Sequence, residues 1–422
     1  MRRLNVMLEY GGSFIRVGEI MGNSPADAAF SYAPEYLSSA DARSLSVSLP
    51  IEEVSFSAAR TKNYFEGLLP EGFTRRSVAK YVHADEDDYL SILSVLGREC
   101  IGALKIEEEG APEEEPSYKE LSMEEVRALA REGAAKSAQL VTKAHLSLAG
   151  ASGKTGLYYD EQSEKWYLPL GTAPSTHIVK QSHVRFKRIV ANELLCMLTA
   201  AKLGIKTARS FMVHTFGSDD EDVLFATRRY DRIFSDKSKI ICGKTVPVRL
   251  HQEDFAQAMG IPSDQKYETA GKAYLKSAFG ILRDYSAYPI EDGLRLWDLC
   301  IFNYLIGNTD NHIKNLSLLY SEDLKTLRLA PAYDMISTIT YEESSDQMAI
   351  SIGGEFDIRK IMRDSFEQEA ENIGLGRKIA MSRFDIMSSR FEEALFSAKE
   401  ELEKEQNISG LDEICGKILS FR

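Results

Sequence analysis

The stretch GNTDNHIKN at residues 307–315 contains the residue types that phosphoryl transfer requires. Asp310 is a carboxylate that could accept the proton of an attacking hydroxyl. Asn315 follows it at the interval that separates the catalytic Asp from the metal-binding Asn of kinase catalytic loops. A further carboxylate, Asp334, comes after a short strand-like segment, where a later Asp would bind metal. The spacing predicts that Asp310 is a catalytic base and that Asn315 and Asp334 hold Mg²⁺ at a site for ATP.

The residues next to these three differ from those of an ordinary protein kinase. No His-Arg pair precedes Asp310, and no Phe-Gly pair follows Asp334. Lys314 lies where a cation could stabilise charge on the phosphoryl group in transfer. His312 could face a ligand, although a lone histidine is more often a structural residue with its hydrogen bonds satisfied.

A stretch of small residues, SLAGASGKT at residues 147–155, lies between two strand-like segments. Its small residues would let backbone N–H groups approach phosphate oxygens, and Lys154 could neutralise them. These small residues are Ala149, Gly150, Ala151, Ser152 and Gly153. A Walker P-loop would require glycine in place of Leu148 and a helix afterwards, so that motif does not fit. A tight hairpin turn is an equally good interpretation of the stretch taken alone.

Lys180 stands at the end of an apolar strand-like segment that begins at Thr176. Kinases use a strand lysine to bind the α- and β-phosphates of ATP. An exposed lysine at a strand end is the commoner situation for any single lysine. The order along the chain favours the kinase interpretation. A loop lysine comes first, and after it come a strand lysine, a helix, a further strand, a catalytic loop and a metal-binding Asp.

Three polar residues, Arg228, Arg229 and Tyr230, follow the apolar segment at 223–227. They stand where a hinge would offer backbone N–H and C=O groups to adenine. An ordinary polar exit from a buried strand is the alternative.

Composition and patterning divide the chain into four predicted segments. The first is a strand-rich and turn-rich N-terminal subdomain at 1–106, with a strand at 45–50. An acidic linker at 107–120 contains two prolines and little apolar surface. A kinase N-lobe at 121–229 begins with a helix capped by Ser122, and a helical C-lobe occupies 230–422.

The net charge of −13 over 422 residues argues against wide, direct binding of nucleic acid. Small basic groups in the last third are interpreted as solvated helix faces. No apolar run is long enough to span a membrane, so no membrane partner is expected. Five scattered cysteines without a Cys-x-x-Cys pair favour free thiols in a reducing cytoplasm.

These motifs together resemble the HipA family of bacterial serine/threonine kinases, which are toxins of toxin-antitoxin pairs. The resemblance covers almost the whole chain. It is carried by residues 44–50, 65–72, 97–104, 146–156, 176–180, 192–193, 230–232, 252–254, 307–315 and 329–334. It implies an α+β, bilobal protein-kinase-like fold, related to lipid kinases, with a small strand-rich N-terminal HipA subdomain.

The resemblance also implies roles for individual residues. ATP would be contacted by Ala149 to Lys154, Lys180, Arg228 to Tyr230, Asp334, and the group His312, Ile313, Lys314 and Asn315. Ser147 would be a self-phosphorylation site that switches the kinase off. The sequence departs from the family at Arg228, where glutamate is common, and before Lys154, where a Gln-Glu pair is frequent.

The family further implies partners. A HipB-like helix-turn-helix antitoxin would bind the chain, and contact with DNA would be indirect, through that antitoxin. The protein substrate would be a translation factor such as an aminoacyl-tRNA synthetase, whose modification causes growth arrest. Two other functions remain open from the residues alone: a kinase-like binding module acting with the antitoxin as a co-repressor, and a metal-dependent phosphohydrolase.

Overall fold

The structure is a computed structural model that describes residues 1–150, 153–182, 186–217 and 219–421. The strands, in chain order, are β1 (Arg2–Tyr10), β2 (Ser13–Gly22), β3 (Ala29–Tyr32), β4 (Leu104–Glu108), β5 (Ser117–Glu120), β6 (Lys154–Asp160), β7 (Lys165–Leu170), β8 (His177–Gln181), β9 (Ser210–His214), β10 (Val223–Arg228), β11 (Arg232–Ile233), β12 (Lys239–Ile241), β13 (Lys244–Val246), β14 (Val248–Arg249), β15 (Gln252–Asp254), β16 (Ser317–Tyr320), β17 (Leu327–Leu329), β18 (Gln347–Ile352) and β19 (Glu355–Asp357).

The α-helices are α1 (Pro34–Leu37), α2 (Ala58–Phe65), α3 (Gly72–Tyr81), α4 (Tyr89–Leu96), α5 (Met123–Glu132), α6 (Ala134–Lys143), α7 (Ile189–Lys202), α8 (Phe255–Met259), α9 (Tyr274–Tyr285), α10 (Pro289–Leu305), α11 (Arg363–Asn372), α12 (Arg377–Glu405) and α13 (Leu411–Phe421). Short 3-10 turns occupy Glu66–Leu68, Asp220–Asp222, Ser263–Gln265, Ile313–Asn315 and Thr338–Thr340. Within the described ranges, none of these helices combines the length and the apolar character that crossing a bilayer requires.

Two compact units divide the chain. Unit 1 comprises residues 1–181, 213–263 and 319–326, and unit 2 comprises 182–212, 264–318 and 327–422. This grouping differs from the predicted segments, because residues 230–263, predicted in the C-lobe, belong to unit 1. Helix α7, predicted within the N-lobe, belongs to the helical unit.

The first sheet of unit 1 has the strand order β3-β2-β1-β4. Neighbouring strands in it are antiparallel. Leu4, Val6 and Leu8 alternate along β1 and are buried, which is the period-two pattern of a strand with one face in the core. The strands of the predicted N-terminal segment lie within residues 2–32 and from Leu104 onward, and the residues between them form α1, α2, α3 and α4.

The second sheet of unit 1 places β5, β7, β6, β8 and β10 side by side, all antiparallel. Its edge strand β5 corrects the predicted linker at 107–120. Residues up to Glu108 belong to β4, and Ser117–Glu120 pairs with β7. The centroids of the Tyr118 and Tyr158 rings lie 4.8 Å apart. This aromatic contact favours the pairing of β5 with the sheet, which the acidic composition of the segment did not indicate.

The predicted strand at 45–50 is wrong. This segment is a turn closed by the backbone N–H of Leu49, which donates to the Ser46 carbonyl at 3.1 Å. Buried Glu253 on β15 explains the turn, since its carboxylate accepts hydrogen bonds from the Ser46 hydroxyl and from the Val47 N–H at 3.1 Å. Long-range polar contacts thus override the local alternation of apolar and polar residues.

The core of unit 2 is formed by aromatic side chains between helices. Trp297 on α10 donates its indole N–H to the Ala380 carbonyl on α12 at 3.0 Å. Phe366 on α11 packs 5.6 Å from the Trp297 ring and 4.8 Å from Phe384 on α12. These contacts fix α10, the helix that leads into the stretch at 307–315.

Candidate active-site residues

The catalytic loop at 307–315, in unit 2, begins with a turn that needs glycine. Gly307 has φ +67°, and a Cβ atom at this position would lie 2.3 Å from the Ile339 side chain. Asn308 then donates to Asn303 Oδ1 on α10 at 2.7 Å and accepts the Asp310 N–H at 3.1 Å. The loop is therefore held to the end of α10 and presents Asp310, which is exposed, to solvent.

Asp310 and Asn315 belong to one compact loop, as their spacing predicts. The Asp310 carbonyl accepts the His312 N–H at 2.8 Å and the Asn315 side-chain amide N–H at 3.2 Å. Asn315 is largely buried, and its amide nitrogen is engaged by the loop. The Oδ1 atom of Asn315 is then the atom of this side chain that could bind a cation.

Asp334 has an unusual backbone conformation. Its φ is +57°, in the left-handed region that Asp tolerates better than most residues. Strained positions of this kind cluster at functional sites. The residues before it are held in place, because Ala332 exchanges backbone hydrogen bonds with Lys206 (2.8 Å) and Ala208 (2.9 Å). The half-exposed carboxylate of Asp334 therefore stands on a fixed backbone.

The segment after Asp334 is bonded to the catalytic loop within unit 2. Thr338 Oγ1 accepts the Thr309 N–H at 2.7 Å and donates to the Gly307 carbonyl at 3.0 Å. Asn192 on α7, fully buried, donates to the Ser337 carbonyl and accepts the Ser337 N–H, both at 3.0 Å. Unit 2 thus brings Asp310, Asn315 and the backbone that carries Asp334 into one hydrogen-bonded group.

Three further predicted contacts in this loop are buried. Ile313 is a fully buried core residue, so a contact with ATP would fall to its backbone atoms. His312 and Lys314 are largely buried as well, and the Lys314 carbonyl accepts the Tyr333 hydroxyl at 3.0 Å. Their predicted nucleotide contacts stay predictions.

Tyr267 was not identified from the sequence, yet it contacts the candidate base. Its hydroxyl donates to Asp310 Oδ1 at 2.7 Å, and the two residues are 43 positions apart. Its ring meets the His312 ring edge-on, with centroids 5.4 Å apart. No local sequence signal indicates this contact, because it depends on how residues 264–273 fold beside the loop.

Unit 1 holds the two candidate phosphate-binding lysines in register. Lys154 on β6 is directly opposite Lys180 on β8, and Lys180 is opposite Phe225 on β10. Residues opposite each other in antiparallel strands project from the same face. The Lys180 ammonium lies 5.2 Å from the centroid of the Phe225 ring. Two cationic side chains on one face of a sheet could bind the same phosphate groups.

Gly150, which precedes Lys154 by four residues, has a backbone conformation that suits glycine. Gly150 has φ +106°, and an added Cβ would lie 2.6 Å from the Lys154 ammonium nitrogen. The Gly150 carbonyl accepts the Glu71 N–H at 3.0 Å. Ala151 and Ser152, both predicted ATP contacts, lie outside the described residues. The element after the loop is a strand, as the rejection of a Walker motif requires.

Ser147 is buried in this conformation. Its hydroxyl donates to the Leu68 carbonyl at 2.7 Å, and its N–H donates to the Glu99 carbonyl at 2.8 Å. Phosphorylation of Ser147 would require the loop to leave this position. The predicted modification therefore stays a prediction and implies an opened state of the loop.

The predicted hinge at residues 228–230 stays a prediction, and the structure shows what the Arg229 side chain contacts. That side chain is buried and donates to Asp231 at 2.9 and 2.7 Å and to Glu99 at 3.4 Å. The Arg229 backbone N–H donates to the Thr176 carbonyl at 2.9 Å. The side chain is thus committed to a buried ion network, which sequence spacing could not show. Arg228 is half-exposed.

The network joins the N-terminal region to the second sheet within unit 1. Arg232 donates to Glu99 at 3.1 Å, and the Gly102 N–H donates to Asp231 at 2.8 Å. Burial opposes ionisation of both carboxylates, but the charges of Arg229 and Arg232 lower the pKa of Asp231 and of Glu99 below their ordinary values. Tyr230 belongs to the same region and donates its hydroxyl to Gln252. The side chains of residues 229–232 therefore make contacts within the folded unit 1.

Comparison with known proteins matches two family models. The model described as HipA-like C-terminal domain matches residues 146–395, and the model described as HipA N-terminal domain matches residues 6–107. "Putative kinase Y4mE" of Sinorhizobium fredii is 31% identical over 386 residues, covering 90% of this chain and 88% of the relative. "Serine/threonine-protein kinase toxin HipA" of Shewanella oneidensis is 26% identical over 403 residues, covering 90% and 86%.

A solved structure shares the fold. It is the HipA chain in the Shewanella oneidensis complex of HipA, HipB and operator DNA, with a TM-score of 0.79 and 22% sequence identity. The match covers 98% of this chain and 96% of that chain. The predicted α+β, kinase-like fold class is confirmed by this likeness.

Proposed function

Because this chain belongs to the HipA family, we propose that it is an ATP-dependent serine/threonine protein kinase. The observation that carries the proposal is the hydrogen-bonded group in unit 2. An exposed Asp310 carboxylate, the Asn315 amide and the left-handed Asp334 are held on one loop system. Phosphoryl transfer depends mainly on positioning and charge, and this arrangement supplies fixed oxygen-bearing side chains for both.

In this proposal Asp310 accepts the proton of the acceptor hydroxyl. The hydroxyl oxygen forms a bond to the γ-phosphorus of ATP as the bond from that phosphorus to the β,γ-bridging oxygen breaks, and ADP leaves. Asn315 and Asp334 would hold Mg²⁺. Their donor atoms suit it, because Mg²⁺ prefers oxygen ligands and is commonly held by one or two protein groups together with phosphate and water. When bound, the ion would neutralise negative charge on the phosphates.

Lys154 and Lys180 would bind the phosphates of ATP from unit 1. Their facing positions on β6 and β8 support this role, because both side chains project from one face of the sheet and could reach the same phosphate groups. Arg228 and the backbone near Tyr230 would contribute to adenine binding. Arg229 would contribute through its backbone carbonyl, because its side chain and its backbone N–H are bonded within unit 1.

Partners are proposed from the relatives. The Shewanella oneidensis relative is named a kinase toxin, and its solved complex contains HipB and operator DNA. We propose a HipB-like antitoxin as the partner of this chain, with DNA contacted through that antitoxin. The proposed substrate is a serine or threonine of a translation factor such as an aminoacyl-tRNA synthetase.

Mass spectrometry with heavy phosphate tests the kinase function and its substrate. The purified chain is incubated with Mg²⁺, a dephosphorylated bacterial protein extract, and ATP labelled with oxygen-18 in the γ-phosphate. Heavy phosphate is expected on a serine or threonine of an aminoacyl-tRNA synthetase and on Ser147 of the chain itself. The Asp310→Asn variant is the control and should produce neither.

Two results would contradict parts of the proposal. Heavy phosphate on another protein would replace the proposed substrate and leave the kinase function standing. Equal labelling by wild type and Asp310→Asn would assign the transfer to a contaminant and remove the kinase function.

A further inference from the structure

Tyr267 lies between the 3-10 turn Ser263–Gln265 and helix α9, in unit 2. Its side chain is 46% exposed, and a tyrosine with that exposure can satisfy its hydroxyl with water. The hydroxyl instead donates to Asp310 Oδ1 at 2.7 Å, the usual length of a strong O–H···O bond. The contact places a hydrogen-bond donor on the carboxylate to which the proposed function assigns proton transfer.

The backbone holds Tyr267 and Asp310 to the same strand. The Ala349 N–H on β18 donates to the Thr309 carbonyl at 2.8 Å, directly before Asp310. The Ala349 carbonyl accepts the Glu268 N–H at 2.8 Å, directly after Tyr267. One residue of β18 is therefore bonded to the backbone neighbours of both partners, which holds the two backbone segments close to each other.

Two further contacts fix the orientation of the Tyr267 segment. The Lys266 carbonyl accepts the Ile313 N–H at 3.3 Å, so the segment is bonded to the catalytic loop itself. The Glu268 carboxylate accepts the Ser351 N–H at 2.9 Å and the Tyr274 N–H at 3.4 Å. The segment is thus bonded on both sides of Tyr267.

The ring of Tyr267 has a separate contact that does not involve its hydroxyl. It meets His312 edge-on, at a centroid distance of 5.4 Å and an interplanar angle of 90°. Phenylalanine at this position would keep that contact, since edge-to-face packing depends on the ring. The hydroxyl can therefore be removed without removing the packing.

We propose that Tyr267 is a positioning residue for phosphoryl transfer, whose hydroxyl fixes the orientation of the Asp310 carboxylate toward the acceptor. The inference rests on the proposed kinase function. Tyr267 keeps its own proton throughout, and the acceptor's proton goes to Asp310. A carboxylate that lacks this bond would be correctly aligned for a smaller fraction of encounters, which lowers kcat without weakening ATP binding.

Steady-state kinetics of Tyr267→Phe test the inference. We expect kcat to fall by roughly tenfold or more, the size of effect that misalignment produces, with KM for ATP nearly unchanged. Replacing Tyr267 by 4-aminophenylalanine restores a donor at the same ring position and should recover part of the loss. Tyr285→Phe, on exposed α9 surface in the same unit, is the matched control and should leave kcat unchanged.

A double-mutant cycle separates positioning from a general structural effect. In the Asp310→Asn background, Tyr267→Phe should cause no further loss, because the group it positions has already been replaced. Thermal unfolding of Tyr267→Phe should match wild type, since the ring contact remains.

Three outcomes would overturn the inference. A wild-type kcat for Tyr267→Phe would show that the hydroxyl is not used. An equal loss in both backgrounds, or a loss not recovered by 4-aminophenylalanine, would show a role unrelated to Asp310. If wild type itself transfers no phosphate, the proposed function fails, and this inference fails with it.

Discussion

At the scale of single residues, the placement of like charges gives the clearest support for a phosphate site. Lys154 and Lys180 face each other across β6 and β8, beside the ring of Phe225. Both side chains project from one face of the sheet, so they could reach the same anion. Sequence order predicted both lysines, but the register that makes them neighbours depends on strand pairing.

Replacing either lysine by methionine should weaken the binding of ATP more than the binding of adenosine, because only ATP carries the phosphates. Loss of one charged contact of this kind should raise the Kd for ATP roughly tenfold or more. Calorimetric titration of Lys154→Met and Lys180→Met with each ligand measures the difference.

The matched control is Lys119→Met, an exposed lysine on the edge strand β5 of the same sheet, which should bind both ligands as wild type does. Equal losses of ATP and adenosine in the Lys154 and Lys180 variants would instead show that these lysines support the sheet.

Single-residue reasoning also has a clear limit in the hinge. The sequence placed Arg229 in a polar strand exit, which is correct, but its partners Glu99 and Asp231 come from two different parts of the chain. A charged residue after a strand predicts exposure unless a buried opposite charge is known. The positive φ of Asp334 was equally unpredictable, because it results from bonds on both sides of that residue.

At the scale of elements, local signals predicted those structures that depend on local contacts. Ser122 caps α5 with a reciprocal bond to Glu125, as predicted from the sequence. Gly204, with φ +85°, follows α7 closely and has the positive φ that commonly occurs just after a helix ends. The strand at 45–50 was predicted wrongly, and the edge strand β5 was not predicted. Contacts with distant residues decide both segments.

Glu253 carries a testable consequence for the turn at 45–50. The Tyr320 hydroxyl donates to it at 2.5 Å, in addition to the bonds from Ser46 and Val47. Burial raises the pKa of Glu253 from 4.5 to about 7, against the effect of these hydrogen bonds. The folded chain therefore binds this proton more tightly than the unfolded chain does.

The sign of the pH dependence follows from linkage. The contribution of Glu253 to folding is most favourable below pH 4.5 and is lost as pH rises to about 7. The glutamine of Glu253→Gln cannot ionise. The free energy of unfolding of this variant minus that of wild type should therefore increase by roughly 2 kcal/mol between pH 5 and pH 8.

Urea unfolding at these two pH values measures the change. Glu343→Gln, an exposed residue of unit 2, is the control and should follow the wild-type pH dependence. A Glu253→Gln stability that runs parallel to wild type across this range would contradict a raised pKa.

At the scale of the whole molecule, some residues of the proposed function belong to unit 1 and others to unit 2. Unit 1 contains the in-register lysines and the buried ion network, and unit 2 contains the catalytic loop and the segment that follows Asp334. The helical character of the C-terminal part was predictable from sequence patterning, and the α+β class from the family resemblance. The grouping of residues 213–263 with the strand-rich unit was not, because it depends on contacts such as those of Arg229, Arg232 and Glu253.

The two family models match on either side of residues 108–145, yet the N-terminal region and the second sheet form one compact unit. Glu99 and Gly102 from the first match bind Arg232 and Asp231 from the second. Buried ion pairs of this kind are costly to break when one partner is removed, because the other charge is left without compensation. The motif residues at 229–232 are therefore explained by folding of unit 1.

The central claim is that Asp310 carries out phosphoryl transfer, and the initial rate of transfer from labelled Mg-ATP to protein tests it most directly. Asp310→Asn should lose about 10²-fold or more of the rate while retaining ATP binding and thermal stability. Asp284→Asn, an exposed carboxylate on α9 of the same unit, should transfer at the wild-type rate. A wild-type rate in folded Asp310→Asn would contradict the account.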